Sequence, residues 1–189
     1  MDKQVSIAVF ASGNGTNFQA IQNAIENGQL RAKIELVVTD QPNAYVIKRA
    51  EEKGIPVLAL NPKDFHTKEA YEKEILRNLQ TLKVEWLVLA GYMRLIGHTL
   101  LAAFPSKIVN IHPSLLPSFP GKDAIGQAVK HGVKVTGVTV HFVDEGMDTG
   151  KIIMQRAVHV VDGNLEKTEQ AIHEVEHVLY PAALQSLFV

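Results

Sequence analysis

There is no cysteine among the 189 residues. Disulfides, thiolate catalysis and cysteine metal sites are therefore excluded, and nothing in the chain calls for an oxidising compartment. An excess of either charge is missing too: 19 Lys and Arg against 20 Asp and Glu leave a formal charge of -1. The basic residues are scattered, so no positive field is available to hold nucleic acid. Long apolar runs are also absent. The run that opens the chain, Val5 to Ala11, is too short for a membrane span or for a signal core with its cleavage site. The expected setting is the cytoplasm, with no membrane contact. No repeat, low-complexity segment or linker is visible.

What is present is an apolar fraction of 46%, enough for one domain with a sizeable core. Val5–Ala11 suits a strand covered on both faces. Phe18, Ile21 and Ile25 then recur at helical spacing until Gly28. Further strands are expected at Lys33–Thr39, Ile55–Leu60, Val84–Ala90 and Lys107–Ile111. Helices are expected from the turn at Pro42 to Lys53 and from about Lys68 to Leu82. Beyond a proline-rich loop, His112 to Pro120, come a short helix (Lys122–Lys130), two strands (Thr136–Val143 and Lys151–Val160) and a closing helix (Leu165–Leu187). Such alternation implies an α/β fold, a mostly parallel twisted sheet with helices on both faces. Ligands of these sheets bind beyond the carboxyl ends of the strands. The polar, glycine- and proline-marked loops after Ala11, Ala90, Asn110 and Val143 are expected to gather at that edge.

Ser12-Gly-Asn-Gly-Thr-Asn17 joins a strand to a helix. Glycines let backbone N–H groups approach an anion, and the helix start adds free donors and a favourable dipole. A phosphate fits this loop. The plainer reading is a tight turn capped by Thr16 or Asn17. A dinucleotide site competes, since Gly13-x-Gly15 and a strand-ending Asp40 match part of that pattern. Phe18, however, occupies the place of its third small residue.

Asn110 and His112 are one residue apart, so on an extended strand end they share a face. Pro113 and Pro117 should fix the loop that follows. Asp144, Glu145 and Asp148 lie in a second loop; alone they read as a solvated turn. His141 reads as a packed strand residue before it reads as a metal ligand, and no metal is expected.

Taken together, these stretches resemble the glycinamide ribonucleotide formyltransferases. The likeness runs through Ser12–Asn17, Gly91-Tyr-Met-Arg94, Asn110-Ile-His-Pro-Ser-Leu-Leu-Pro117, Phe119-Pro-Gly121, His141-Phe-Val143, Asp148-x-Gly150, Glu176-His177 and Tyr180-Pro181. The resemblance implies a single Rossmann-like formyltransferase domain over 1–189, with an antiparallel strand in its second half. The first hundred or so residues would bind phosphate, and the rest would bind folate and carry the chemistry. Asn110, His112 and Asp148 correspond to the catalytic trio. Gly13, Asn14, Gly15, Thr16 and Asn17 correspond to the substrate-phosphate loop, and Glu176 to a ribose contact. Lys68, Met93, Arg94, Leu95, Ile96, Asn110, Val143 and Asp144 fall at folate-side positions. Thr139 is a candidate for holding a catalytic water. The family often has arginine at Lys68, and lysine lacks its bidentate fork.

The implied reaction moves a formyl group from 10-formyltetrahydrofolate, a cosubstrate, to the amine of phosphoribosylglycinamide, in a monomer or homodimer. Both partners are small molecules. Charge developing on the formyl oxygen would meet the Asn110 amide and a protonated His112, each such donor being worth about 3 kcal/mol. An adjacent Asp148 carboxylate would favour the imidazolium. Rival readings are a formyltetrahydrofolate deformylase, an initiator-tRNA formyltransferase, a nicotinamide-dependent dehydrogenase and a plain phosphate-ligand binder. The first two carry extra domains for which this length leaves no room.

Overall fold

Apolar residues broken only by Ser6 make Val5–Phe10 a strand, β1, and Ile7 to Phe10 are wholly buried. The computed structural model describes residues 3–188. Six further strands join β1: β2 (Ala32–Thr39), β3 (Val57–Ala59), β4 (Trp86–Leu89), β5 (Ile108–His112), β6 (Val135–Phe142) and β7 (Ile152–His159). They form one seven-stranded sheet in the order 3-2-1-4-5-6-7. Its helices are α1 (Thr16–Glu26), α2 (Tyr45–Glu52), α3 (Lys68–Thr81), α4 (His98–Ala103), α5 (Ala124–His131) and α6 (Leu165–Leu187).

Successive side chains of a strand point to opposite faces, and the core divides accordingly. Ile7, Val9, Val88, Ala90, Val109 and Ile111 pack with Phe18 and Ile21 of α1 and with Tyr180 and Leu184 of α6. Ala8, Phe10, Leu87, Leu89 and Ile108 face the other way, onto Tyr71, Ile75 and Leu79 of α3 and Leu100 of α4. Tyr180 is fully buried, and its hydroxyl donates to the carbonyls of Leu89 (2.7 Å) and Val109 (3.2 Å). It thus ties β4 to β5 at the level where the site begins.

Strands β1 to β5 are parallel. β6 runs against both neighbours, so it alone is reversed. That corrects the placement of the loop after Val143. A reversed strand has its carboxyl end at the other edge: Phe142 pairs with Val109, near the start of β5. The loop must therefore travel back to reach the site, and it does. Other differences are local. β3 is three residues rather than six, α2 starts at Tyr45 rather than near Pro42, and β5 extends to include His112. The six-residue α4 and a 3-10 turn at Pro62–Asp64 are additional to the expected elements. No helix among the described residues is long and apolar enough to cross a membrane.

Candidate active site

In the strand order 3-2-1-4-5, direction of travel along the sheet reverses between β1 and β4. A crevice opens at such a switch point, and here it holds a cleft of about 700 Å³. Gly13 to Asn17 line one side and Tyr92 to Ile96 another; Asn110, His112, His141, Val143 and Asp148 lie between, with Glu169, His173 and Glu176 of α6 at the end.

The first loop is held from behind. Gly15 begins α1 in a left-handed conformation, with φ at 79°, which costs glycine least. A Cβ there would stand 2.6 Å from Val46 Cγ2, so α2 packs directly against the turn. Val46 N–H donates to the Gly13 carbonyl (3.1 Å). Arg49 Nε donates to the Asn14 carbonyl (2.8 Å) and its Nη2 to Asn14 Oδ1 (2.7 Å). Acceptors are thereby turned toward α2. α1 has no side-chain cap, whereas Thr67 caps α3 and Asn164 caps α6. The first N–H groups of a helix have no intrahelical partner, and in α1 they begin beside the cleft. Asn17 Nδ2 donates to Glu176 Oε2 (3.3 Å), and its buried Oδ1 has no partner.

Asn110, His112 and Asp148 meet. Asp148 Oδ2 accepts from Gly121 N–H (2.8 Å) and lies 3.4 Å from His112 Nδ1. Its Oδ1 lies 3.6 Å from His141 Nε2. Burial raises the Asp148 pKa, but hydrogen bonds from His141 and Gly121 and the two imidazole charges outweigh it, and the net direction is down. The carboxylate is thus held ionised. His112 Nε2 is 2.8 Å from the Phe119 carbonyl; a carbonyl only accepts, so this nitrogen carries a proton. His141 Nδ1 likewise donates to the Phe142 carbonyl (2.7 Å), and its Nε2 lies 3.4 Å from Asn110 Nδ2.

Backbone geometry brings Asp148 in. Asp148 itself has φ 55° and Phe119 φ 51°, left-handed values uncommon away from glycine. At Gly150 a Cβ would overlap the Phe142 carbonyl, so only glycine lets the loop fold back onto the end of β6. Asp144 Oδ1 accepts from Gly146 N–H (3.0 Å) and from the Thr149 hydroxyl (2.6 Å).

Three expected residues stand elsewhere. Thr139 is wholly buried; its hydroxyl donates to the Ser114 carbonyl (2.7 Å) and accepts from Leu116 N–H (3.1 Å) and Gln155 Nε2 (3.0 Å). It braces the proline-rich loop and has no free direction for a catalytic water. Lys68 is exposed at the first turn of α3, outside the cleft lining, because the helix begins away from the crevice. Asp144 folds its own loop and is likewise outside the lining. Asp40, the candidate ribose acid of a dinucleotide site, is 4% exposed, and its Oδ1 accepts from the Ser12 hydroxyl. It does not line the cleft.

Others were not foreseen as site residues. His141 faces both Asn110 and Asp148. The signal for it is the antiparallel register, which sets His141 opposite Asn110. Arg49 had none, because its partners, the carbonyl and side chain of Asn14, lie 35 residues away in the sequence. His173 lies one helical turn before Glu176, and its Nδ1 is 2.9 Å from Glu176 Oε2. The hydrogen bond to Glu176 raises its pKa against the opposing effect of burial.

The cleft wall suits a flat, partly polar heterocycle. Met93, Leu95 and Met147 expose apolar surface. Arg94 stacks 5.4 Å from the Tyr71 ring centre, and its buried Nε has no partner. Among the described residues no three His, Asp or Glu stand together as a metal site would require.

Comparison with known proteins identifies the family. A formyl transferase family model matches residues 5–184. The chain is 54% identical over 181 residues to the phosphoribosylglycinamide formyltransferase of Bacillus subtilis, covering 95% of this chain and 93% of that one. It is 41% identical over 184 residues to the trifunctional purine biosynthetic protein adenosine-3 of Drosophila melanogaster, covering 96% of this chain but only 14% of that one. The crystal structure of glycinamide ribonucleotide transformylase 1 from Geobacillus kaustophilus superposes with a TM-score of 0.96 at 57% identity, over 98% of this chain and 100% of that one.

Proposed function

This chain belongs to the formyl transferase family, and we propose on that footing that it transfers a formyl group from 10-formyltetrahydrofolate to the amine of N1-(5-phosphoribosyl)glycinamide. The products are the N2-formyl amide and tetrahydrofolate, in the purine route toward IMP. One observation carries the reading: an amide, an imidazole and an ionised carboxylate converge in one cleft with an uncapped helix start.

The division of labour follows from chemistry. N–H groups from Gly13 to Asn17 hold the substrate phosphate, far from any bond that changes. Their contribution is orientation, which turns a bimolecular encounter into an intramolecular one. Glu176, fixed by Asn17 and His173, accepts from ribose hydroxyls. Met93 to Ile96 and Val143 form the folate wall, with the Arg94 guanidinium toward its polar edge. The Asn110 amide donates to the formyl oxygen as negative charge grows there. His112, whose Nε2 carries a proton, gives that proton to the departing folate nitrogen and takes up the one released by the attacking amine. To do so its ring gives up the Phe119 carbonyl, while Asp148 keeps Nδ1 oriented. The enzyme acts as a monomer or a homodimer. We place the reaction in the cytoplasm.

The test mixes the enzyme with phosphoribosylglycinamide and 10-formyltetrahydrofolate and follows the deformylated cofactor. Release that requires the amine supports transfer. Equal release without the amine indicates a hydrolase and overturns the proposal.

A further inference from the structure

Ser12 sits at the switch point itself, between β1 and the phosphate loop, and three hydrogen bonds converge on it. Its N–H donates to the Gly91 carbonyl (3.0 Å). Its hydroxyl donates to Asp40 Oδ1 (2.6 Å) and accepts from Met93 N–H (2.9 Å). Asp40 directly follows β2, one neighbour of β1, and Gly91 to Met93 follow β4, the other. One side chain therefore joins both flanks of the crevice.

Direction matters in this relay. A hydroxyl has one proton and two lone pairs, and an ionised carboxylate only accepts. Asp40 thus dictates where the Ser12 proton points, and a lone pair is left for Met93 N–H. Asp40 is 4% exposed and has no cation within ion-pair reach among the described residues. Its other oxygen receives only a long bond from Gln41 Nε2 (3.4 Å). A buried carboxylate so sparsely partnered is costly, and a surface turn does not require one.

We infer that Ser12 and Asp40 form a positioning pair that sets the distance between the phosphate loop and the folate wall. It acts through the backbone of Gly13 on one side and of Met93 on the other, and touches no reacting atom. The inference rests on the formyl-transfer reading, because only a two-substrate reaction needs the two walls in register. An error of about 1 Å between oriented reactants can cost two orders of magnitude in rate.

The experiment compares Ser12→Ala, Asp40→Ala, Asp40→Asn and the double Ala variant. It records kcat and KM with both substrates, calorimetric Kd for phosphoribosylglycinamide alone, and amide exchange at Met93. Ser12→Ala and Asp40→Ala should each lower kcat roughly tenfold, with Kd for the single substrate within about threefold. The double variant should fall no further than either single one, as expected of groups acting as a unit. Asp40→Asn keeps an acceptor and should stay within about threefold of the parent kcat. Met93 exchange should quicken in the Ala variants and not in Asp40→Asn. Asp40→Asn falling as far as Asp40→Ala would overturn the inference, because charge rather than direction would then be at work. So would multiplying losses in the double variant, or a loss confined to Kd. A parent enzyme that transfers no formyl group would sink the functional reading instead, while Met93 exchange would still report on the pair.

Discussion

The proposed phosphate loop and the proposed catalytic cluster share one cleft but are held by opposite means. In the loop, acceptors are tied back to α2 by Val46 and Arg49, and the donors of α1 are left uncapped. The loop we propose for the phosphate is thus built almost wholly from backbone. In the cluster, side chains are occupied by nearby backbone or by one another: His112 holds the Phe119 carbonyl, Asn110 holds His141, and Asp148 holds the Gly121 N–H. Buried polar groups are costly without partners, so the reactive groups occupy themselves until a substrate replaces those partners. Binding should need little rearrangement and chemistry some. Variants in the two regions should therefore separate KM from kcat.

The largest effect belongs to the cluster. Asn110→Ala should lower kcat about a hundredfold, the usual cost of one preorganised oxyanion donor, with single-substrate Kd nearly unchanged. Stopped-flow turnover alongside calorimetry checks this, and a KM effect without a kcat effect would erase the contrast between the regions. On the loop side, Gly15→Ala forces a Cβ into a left-handed turn and onto Val46. It should raise KM for the phosphorylated substrate roughly tenfold and leave kcat within about threefold. A kcat collapse there would mean that the loop does more than anchor.

Asp148→Asn sharpens the comparison through pH. The folded-state pKa of Asp148 is depressed. Its stabilising contribution is therefore fully present above the ordinary carboxylate range and is lost as pH falls through the folded value. Losing charge-assisted bonds of this kind costs about 1 kcal/mol, or about 3 °C in a chain of this size. Parent and variant should melt about 3 °C apart at pH 7, and the gap should close only as pH falls below the ordinary value of 3.8 and through the lower folded one. Calorimetric scans across that range decide it. The same variant should displace the acidic limb of the pH–rate profile; an unchanged limb would leave Asp148 only folding its loop.

Legibility follows the same divide. The loop and the alternating strands and helices were readable because local pattern determines them: an apolar run, a glycine turn, then helical spacing. The six-residue α4 was not, because Gly97 to Ala103 is too short to display periodicity. Asn110, His112 and Asp148 could be named from motif, but the geometry that joins them could not. It depends on the reversed β6, on the left-handed backbone at Asp148 and on the missing side chain at Gly150, none of which has a period. Thr139 shows the limit best. Alternation correctly gives it the same strand face as His141, yet the loop it braces covers that face at its level and consumes its hydroxyl.

The smallest effect tests the boundary between the regions, where α6 closes the cleft. His173 has its pKa raised, first by the Glu176 hydrogen bond, then with burial opposing and the Glu176 and Glu169 charges assisting. For a raised group the contribution is fully present below the unfolded value near 6.5 and is lost as pH climbs through the folded one. The His173 side chain is 52% exposed, so solvent screening holds the pair to about 0.5 kcal/mol. His173→Gln should accordingly melt about 1–2 °C below the parent at pH 6, and the gap should vanish by about pH 9. A gap that persists at pH 9 would assign the loss to packing against His177 rather than to charge. Because Glu176 also holds Asn17, the variant should loosen the loop's ribose end. KM for the phosphorylated substrate should rise no more than about threefold, against no measurable change in kcat, the same signature as the loop and not that of the cluster.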